Sequence, residues 1–163
     1  MRVIGVDPGT VCCGYGIVDV ECKGRPPVYV TCGDVRMNNR KPLPERLKVL
    51  YDSLGRIIAD YSPDHLCIEK IFYHKSIRSS LTLGSARGII MLLAAENSIP
   101  VFEYNSTELK MALTGYGRAE KRQVKDMVFR VISIDRPAER ISDDSTDALA
   151  LAICHINTSY ELK

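Results

Sequence analysis

The stretch Ser142-Asp143-Asp144-Ser145-Thr146-Asp147-Ala148-Leu149-Ala150-Leu151-Ala152-Ile153 sets three carboxylates at the head of an apolar run. Ala148 to Ile153 leaves no solvent face for most of two turns, and a helix that is apolar on all sides is a buried one. Acidic residues suit the positive end of a helix, and Asp is also a good N-cap. One cap does not use three acids. Asp144 and Asp147 are three apart and Asp143 and Asp147 four apart, so either pair shares a helix face. Carboxylates crowded against an apolar core resist ionising together unless a cation joins them. The implied chemistry is that of a metal site, whose other ligands must come from elsewhere in the chain.

The elements that would deliver those ligands follow from the pattern upstream. Arg2-Val3-Ile4-Gly5-Val6-Asp7 reads as a buried strand stopped by Pro8-Gly9, with Asp7 at its mouth. Tyr15 to Val20 and Val28 to Met37 read as two further strands, and the short connections predict an antiparallel meander. Pro44-Glu45 opens an amphipathic helix in which Leu47, Leu50, Leu54, Ile58 and Tyr61 recur at helical spacing, and Ser62-Pro63-Asp64 ends it. Leu66-Cys67-Ile68-Glu69 is a short apolar strand that again finishes on a carboxylate. A loop over 71–79 leads to a largely apolar helix, Ser80 to Asn97, where Gly84 and Gly88 leave a flat patch for another helix or a partner chain.

Pro100 to Tyr104 is the fifth strand. Asn105 and Glu108 form a capping pattern for a short helix through Leu113, stopped at Gly115-Tyr116-Gly117. Arg118 leads into a helix with Val124, Met127, Val128, Val131 and Ile132 on its apolar face, and a loop over 133–142 precedes the acid-headed helix. Crossover helices on either side of the fourth strand require parallel pairing there. The expected fold is therefore α/β, a mixed five-stranded sheet of antiparallel meander plus parallel strands, flanked by helices.

In such a sheet, ligands gather outside the carboxyl ends of the parallel strands. Asp7 and Glu69 each end a strand; if the two strands are parallel neighbours, both carboxylates reach one edge. The helix headed by Asp144 and Asp147 would then rest its N-terminus over that edge. All-oxygen ligands favour a hard cation, Mg²⁺ or Mn²⁺. Two such ions can clamp the attacking and leaving oxygens of a phosphoryl displacement.

Composition bounds the alternatives. A chain of 163 residues, 45% hydrophobic and 26% charged, is expected to be one soluble globular domain over residues 1–163. The net charge of +2 names no partner. No stretch approaches the length of a membrane span, and Asp7 comes too early for a secretory leader, so a cytoplasmic protein without membrane contact is expected. The six cysteines, at 12, 13, 22, 32, 67 and 154, form no Cys-x-x-Cys pair and stand at no zinc-finger spacing from His65, His74 or His155. They read as structural thiols. Cys22 and Cys32 are placed to approach across a hairpin, but a cytosolic setting argues against a disulfide.

Taken together, Val6-Asp7-Pro8-Gly9-Thr10 with Gly14-Tyr15-Gly16, then Ile68-Glu69-Lys70-Ile71-Phe72, resembles the opening motifs of the RuvC-type Holliday junction resolvases. Leu83-Gly84-Ser85-Ala86-Arg87-Gly88, Val101-Phe102-Glu103-Tyr104, Ala119-Glu120-Lys121 and Asp144-Ser145-Thr146-Asp147-Ala148-Leu149-Ala150 follow in that family's order, so the resemblance covers nearly the whole chain. It implies a ribonuclease-H-like fold and a homodimeric, Mg²⁺-dependent endonuclease that resolves four-way DNA junctions by paired nicks leaving 5′-phosphate and 3′-hydroxyl ends. Mn²⁺ is expected to substitute, two ions per site are expected with substrate bound, and a branch-migration motor complex is a candidate partner. Carried over by position, the catalytic and metal-binding acids are Asp7, Glu69, Asp144 and Asp147. Helix geometry alone admits Asp143 or Asp144; only the Asp-x-x-Asp-Ala-Leu-Ala frame selects Asp144.

Lys110, Arg118, Lys121, Arg122 and Lys125 form a basic cluster of the kind that holds phosphates. Gly115 and Gly117 leave room for a phosphate to approach the backbone. A solvated helix face of mixed charge is the plain alternative, and the resemblance singles out Lys110 and Lys121. Phe72 resembles the family's aromatic residue that wedges against bases at the junction centre. His155, near the end of its helix, is expected to offset the helix dipole. The rival readings are a sugar-kinase or actin-like ATPase, which needs two such domains, a ribonuclease H acting on RNA–DNA hybrids, and a junction-binding protein that does not cut.

Overall fold

A computed structural model describes residues 1–22, 24–70, 77–132 and 141–159. Three strands come first, β1 (Arg2–Asp7), β2 (Cys12–Asp19) and β3 (Val28–Arg36), followed by helix α1 (Leu43–Tyr61). Strand β4 (His65–Glu69), helix α2 (Ile77–Glu96) and strand β5 (Val101–Tyr104) come next, and then α3 (Ser106–Thr114), α4 (Lys121–Ile132) and α5 (Asp143–Ser159). The sheet order is β3-β2-β1-β4-β5. β1 pairs antiparallel with β2 and parallel with β4, and β4 pairs parallel with β5. This is the expected mixed sheet in its ribonuclease-H-like arrangement. Asp7 and Glu69, each the last residue of its strand, therefore arrive at the same edge.

Alternation along the strands divides the core in two. Ile4, Val6, Ile17, Leu66 and Ile68 pack on one face beneath α1 and α2, with Leu50, Leu54, Ile58 and Ile90. Val3, Val18 and Cys67 point to the other face, where α5 lies with α3 and α4 against it. Ala148 through Ile156 of α5 are buried on every side of the helix, as the apolar run requires.

α5 sits unusually close to the sheet because β1 and β2 have no side chains beneath it at three places. A Cβ added to Gly5 would fall on the Ala148 carbonyl, and one on Gly14 would fall on that of Asp144. At Gly16 it would come within 2.6 Å of Leu149 Cγ. Glycine inside a strand marks such close approach of another backbone. Here it sets the head of α5 down beside the end of β1.

Several boundaries differ from expectation. β2 starts at Cys12 rather than Tyr15, because Cys12, Cys13 and Gly14 pair with Arg36, Val35 and Asp34 of β3. α2 is already helical at Ile77, within the stretch expected to be loop, and α4 begins at Lys121, after a turn that holds Arg118. The larger correction is His155. It is buried, its Nδ1 lies 2.7 Å from Tyr104 Oη, and its Nε2 lies 2.7 Å from His65 Nδ1. Burial, with His65 beside it, pushes its pKa down to about 4. A neutral imidazole cannot offset a helix dipole, so its role is in the core.

Candidate active site

The head of α5 is capped by Ser142 and by none of the aspartates. Its hydroxyl accepts from the Ser145 amide at 3.0 Å, and its carbonyl accepts from the Thr146 amide at 3.0 Å. The serine satisfies orphan amides of the first turn, which releases the acids for other work. Asp34 on β3 accepts hydrogen bonds from the hydroxyls of both Ser142 and Ser145 and pairs with Arg36 at 2.8 Å. Burial works to raise the Asp34 pKa, but those bonds outweigh it and lower it. The helix cap is thus tied to the meander as well as to the glycine bed.

Asp143 is turned towards α4, where Lys125 Nζ lies 2.8 Å from its Oδ1 and, by that bond, lowers its pKa. Asp144 is turned the other way. Its carboxylate, that of Asp34 and the Cys12 sulfur lie within 4.8 Å of one another. The Cys12 thiol is pushed up to about 12, first by burial and then by its hydrogen bond to Asp144 and the charge there. It stays protonated, in keeping with a structural thiol.

Asp7, Glu69 and Asp147 line one cleft of about 280 Å³, together with Lys110, Lys121 and Ser106. Asp144 is not in that wall, yet its charge reaches Asp7. The Asp7 pKa is raised to about 7, mostly by burial and then by the negative charges of Asp147, Asp144 and Glu69, with Lys121 opposing them. Lys121 reaches across from α4 to place its Nζ 2.8 Å from Asp147 Oδ2, and that hydrogen bond raises its own pKa. Two braces fix the strand ends. Arg46 of α1 donates to the Thr10 carbonyl at 2.8 Å, just beyond Asp7. Arg87 of α2 donates to the Glu69 carbonyl at 2.6 Å.

The basic residues divide. Lys110 and Lys121 face the cleft, Lys125 is engaged by Asp143, and Arg118 and Arg122 are exposed outside the cleft wall. Phe72 lies outside the described residues. Sequence reasoning missed Asp34, Ser142, Arg46 and Arg87. A serine just before an acidic helix head was the available signal for the cap, whereas nothing local marks Asp34 or the arginines. Chemically, the cleft gathers oxygen donors that repel one another and so favours a hard divalent cation.

The model of the RuvC family, described as crossover junction endodeoxyribonuclease RuvC, matches residues 3–155. A crossover junction endodeoxyribonuclease RuvC of Cupriavidus metallidurans is 44% identical over 157 residues, covering 96% of this chain and 84% of that protein. The one of Pelotomaculum thermopropionicum is 45% identical over 155 residues, covering 95% and 92% respectively. Among solved structures, Thermus thermophilus RuvC in complex with Holliday junction substrate superposes with a TM-score of 0.91 at 27% identity, over 99% of this chain and 96% of that one.

Proposed function

The chain belongs to the RuvC family of crossover junction endodeoxyribonucleases, and from that premise we propose that it resolves four-way DNA junctions by Mg²⁺-dependent hydrolysis. The observation that carries the proposal is the convergence of Asp7, Glu69 and Asp147 on one cleft, where burial first and then the charges of Asp147, Asp144 and Glu69 lift the Asp7 pKa to about 7. A half-buried carboxylate among like charges is a good place for a divalent ion. Asp7, Glu69 and Asp147, with Asp144 beside them, would hold Mg²⁺ or in its place Mn²⁺, two ions per site when substrate is bound. When bound, such ions lower the pKa of the attacking water and stabilise charge on the departing 3′ oxygen.

The chain's own residues do the rest. Asp7, once its proton is lost to solvent, would hold the cation together with Glu69. Lys121 lies against Asp147 and also beside Asp7, so it shifts its charge to a substrate phosphate when the acids gain another partner. Lys110 lines the same wall and meets the strand next to the scissile bond. Arg118 and Arg122, exposed beyond the cleft, hold phosphates further along an arm, and Lys125 joins them when it leaves Asp143. Phe72 supplies the wedge at the junction centre, where stacking on a base contributes about 1–3 kcal/mol.

A four-way junction presents two symmetry-related strands, which a twofold dimer meets with two equal sites. Ile77, Leu81, Gly84, Gly88 and Met91 fall at alternating steps of four and three along α2, and the four other than Gly84 are exposed. An apolar stripe of that period, with two glycines that allow close approach, suits pairing with a second copy of itself. The proposal is of a homodimeric nuclease domain acting in the cytoplasm, supplied with junctions by a branch-migration motor complex.

The test uses labelled four-way junction, plain duplex and RNA–DNA hybrid, each with Mg²⁺ and with chelator. Paired, metal-dependent nicks in the junction alone are expected, with ligatable 5′-phosphate and 3′-hydroxyl ends. Asp7→Asn and Glu69→Gln should bind the junction and leave it whole. Cutting of the hybrid and not of the junction would overturn the proposal, as would cutting by Asp7→Asn at the normal rate.

A further inference from the structure

Arg87 stands on the face of α2 turned to the sheet, and only 11% of its side chain is exposed. Its guanidinium spans two strands. Nη1 donates to the backbone carbonyl of Glu69 at 2.6 Å, and Nη2 lies 2.7 Å from Glu103 Oε2 on β5. In the parallel register Ile68 pairs with Glu103 and Glu69 with Tyr104. Glu103 therefore projects to the same face as Ile68, under α2. Side chains alternate along a strand, so the Glu69 carboxylate projects to the opposite face, the side of α5 and the cleft it lines. The arginine does not share that wall. It holds the backbone from behind.

The position of that bond matters because the ladder ends there. Lys70 N donates to the Tyr104 carbonyl at 2.8 Å as the chain leaves the sheet, and β4 has no further residue beyond Glu69. A strand end with a short carbonyl bond and a charge-assisted tether is held more firmly than one that only pairs with its neighbour. The planar fork of arginine makes both bonds at once, which the single ammonium of lysine does not reproduce.

We infer that Arg87 is a positioning residue for Glu69: fixed by Glu103, it pins the end of β4 so that the carboxylate on the far face keeps its place in the cleft. This rests on the reading of Glu69 as a catalytic acid. A misplacement of about 1 Å can cost roughly 10²-fold in rate, so a strand end freed of this tether is read in the cutting rate.

The experiment compares full-length Arg87→Met, Arg87→Lys, Glu103→Gln and Glu69→Gln with the parent protein. Light scattering and thermal melts check assembly and folding, and junction binding is measured in chelator. Single-turnover cutting is followed against Mg²⁺, and Mn²⁺ binding without DNA is followed by calorimetry. Arg87→Met keeps the bulk of the side chain without its donors. It should bind the junction within about twofold of the parent, cut at least about tenfold more slowly at saturating Mg²⁺, and need several-fold more Mn²⁺ for half-saturation. Arg87→Lys should recover part of the rate and Glu103→Gln should fall between; these two carry the test if Arg87→Met does not fold.

Parent-like cutting and Mn²⁺ binding in all three variants would overturn the inference. So would a loss of rate wholly matched by loss of junction affinity or of the dimer, which a merely structural arginine would produce. Glu69→Gln tests the premise separately. If it cuts normally, Glu69 has no catalytic role for Arg87 to serve; if it is inactive while the Arg87 variants are not, only the inference fails.

Discussion

Asp7→Asn is expected to abolish Mg²⁺-dependent cutting and, at the same time, to make the metal-free protein more stable. The carboxyl of Asp7 sits at about 7 instead of 3.8, through burial and three neighbouring acids. The folded state therefore keeps a proton that the unfolded chain releases above pH 4, so this residue's contribution is best in acid and is lost as pH rises through 4 to 7. At 1.36 kcal/mol for each tenfold change, the ceiling of the penalty above pH 8 is about 4 kcal/mol. Local water and relaxation of neighbouring charges reduce that, and about 2 kcal/mol is a working figure at the effective dielectric of such sites. Asn preserves the shape and removes the charge, so in chelator at pH 8 it should raise Tm by roughly 4–8 °C. At pH 4 the parent Asp7 is itself protonated and the advantage should vanish. Added Mg²⁺ should reverse the ranking, because the parent gains a ligand that the variant binds poorly. The assay is a set of denaturation curves at fixed protein concentration, at pH 8 and pH 4, with chelator and with Mg²⁺. An Asn variant less stable than the parent at pH 8 in chelator, or equally favoured at both pH values, would refute the reasoning.

His155, pushed down to about 4 by burial, works in the opposite sense: its contribution is complete above 6.5 and is lost as pH falls towards 4, by up to about 3 kcal/mol. Measured in an Asp7→Asn background, replacing His155 by Gln should lower stability at pH 7 but flatten its fall between pH 6.5 and 4.5, and an unchanged slope would contradict this. Gly14→Ala puts a methyl on the Asp144 carbonyl and should cost about 1–3 kcal/mol as an overpacked contact, seen in urea denaturation, with weakened Mn²⁺ binding by calorimetry. Lys121→Ala should lower the single-turnover cutting rate more than junction affinity, because its ammonium sits 2.8 Å from Asp147. Arg122→Ala should instead weaken binding and reduce its salt slope by about one, with the rate at saturation preserved.

The elements were legible wherever periodicity was strong. The α1 pattern put Leu50, Leu54 and Ile58 in the core, where they are buried, and the Asn105–Glu108 capping box forms as its spacing requires. The all-apolar run of α5 gave away its burial, and the two strands that end on acids gave away the edge they share. What local pattern does not carry is direction. Asp143 and Asp144 are equivalent on a helical wheel drawn against Asp147, and only the packing of α4 turns one towards Lys125 and leaves the other to the meander. His155 looked like a charge at a helix end because its partners, Tyr104 and His65, are 51 and 90 residues away. The bed under α5 was readable in principle, since Gly5, Gly14 and Gly16 are isolated glycines inside strands, a pattern that marks close backbone approach.

Bringing acids together costs free energy, and the fold has to supply it away from the acids themselves. Burying a Leu or Ile side chain contributes about 1.5–3 kcal/mol, and Leu149, Leu151, Ile153 and Ile156 are all buried on the helix that carries Asp144 and Asp147. Their summed burial exceeds the penalty at Asp7, which burial and neighbouring charge together hold to at most about 4 kcal/mol, so the helix stays seated even when no cation is bound. The glycines convert that apolar energy into position: with no Cβ beneath it, the helix settles until its head stands beside Asp7. Ser142 completes the arrangement, because a helix capped by one of its own aspartates would spend a carboxylate on its backbone. The same residues that stabilise the core therefore decide how closely the charges approach. A variant that relieves the repulsion by lifting α5 must lose cation binding with it, whereas one that removes a single charge keeps the seat and loses only the ligand.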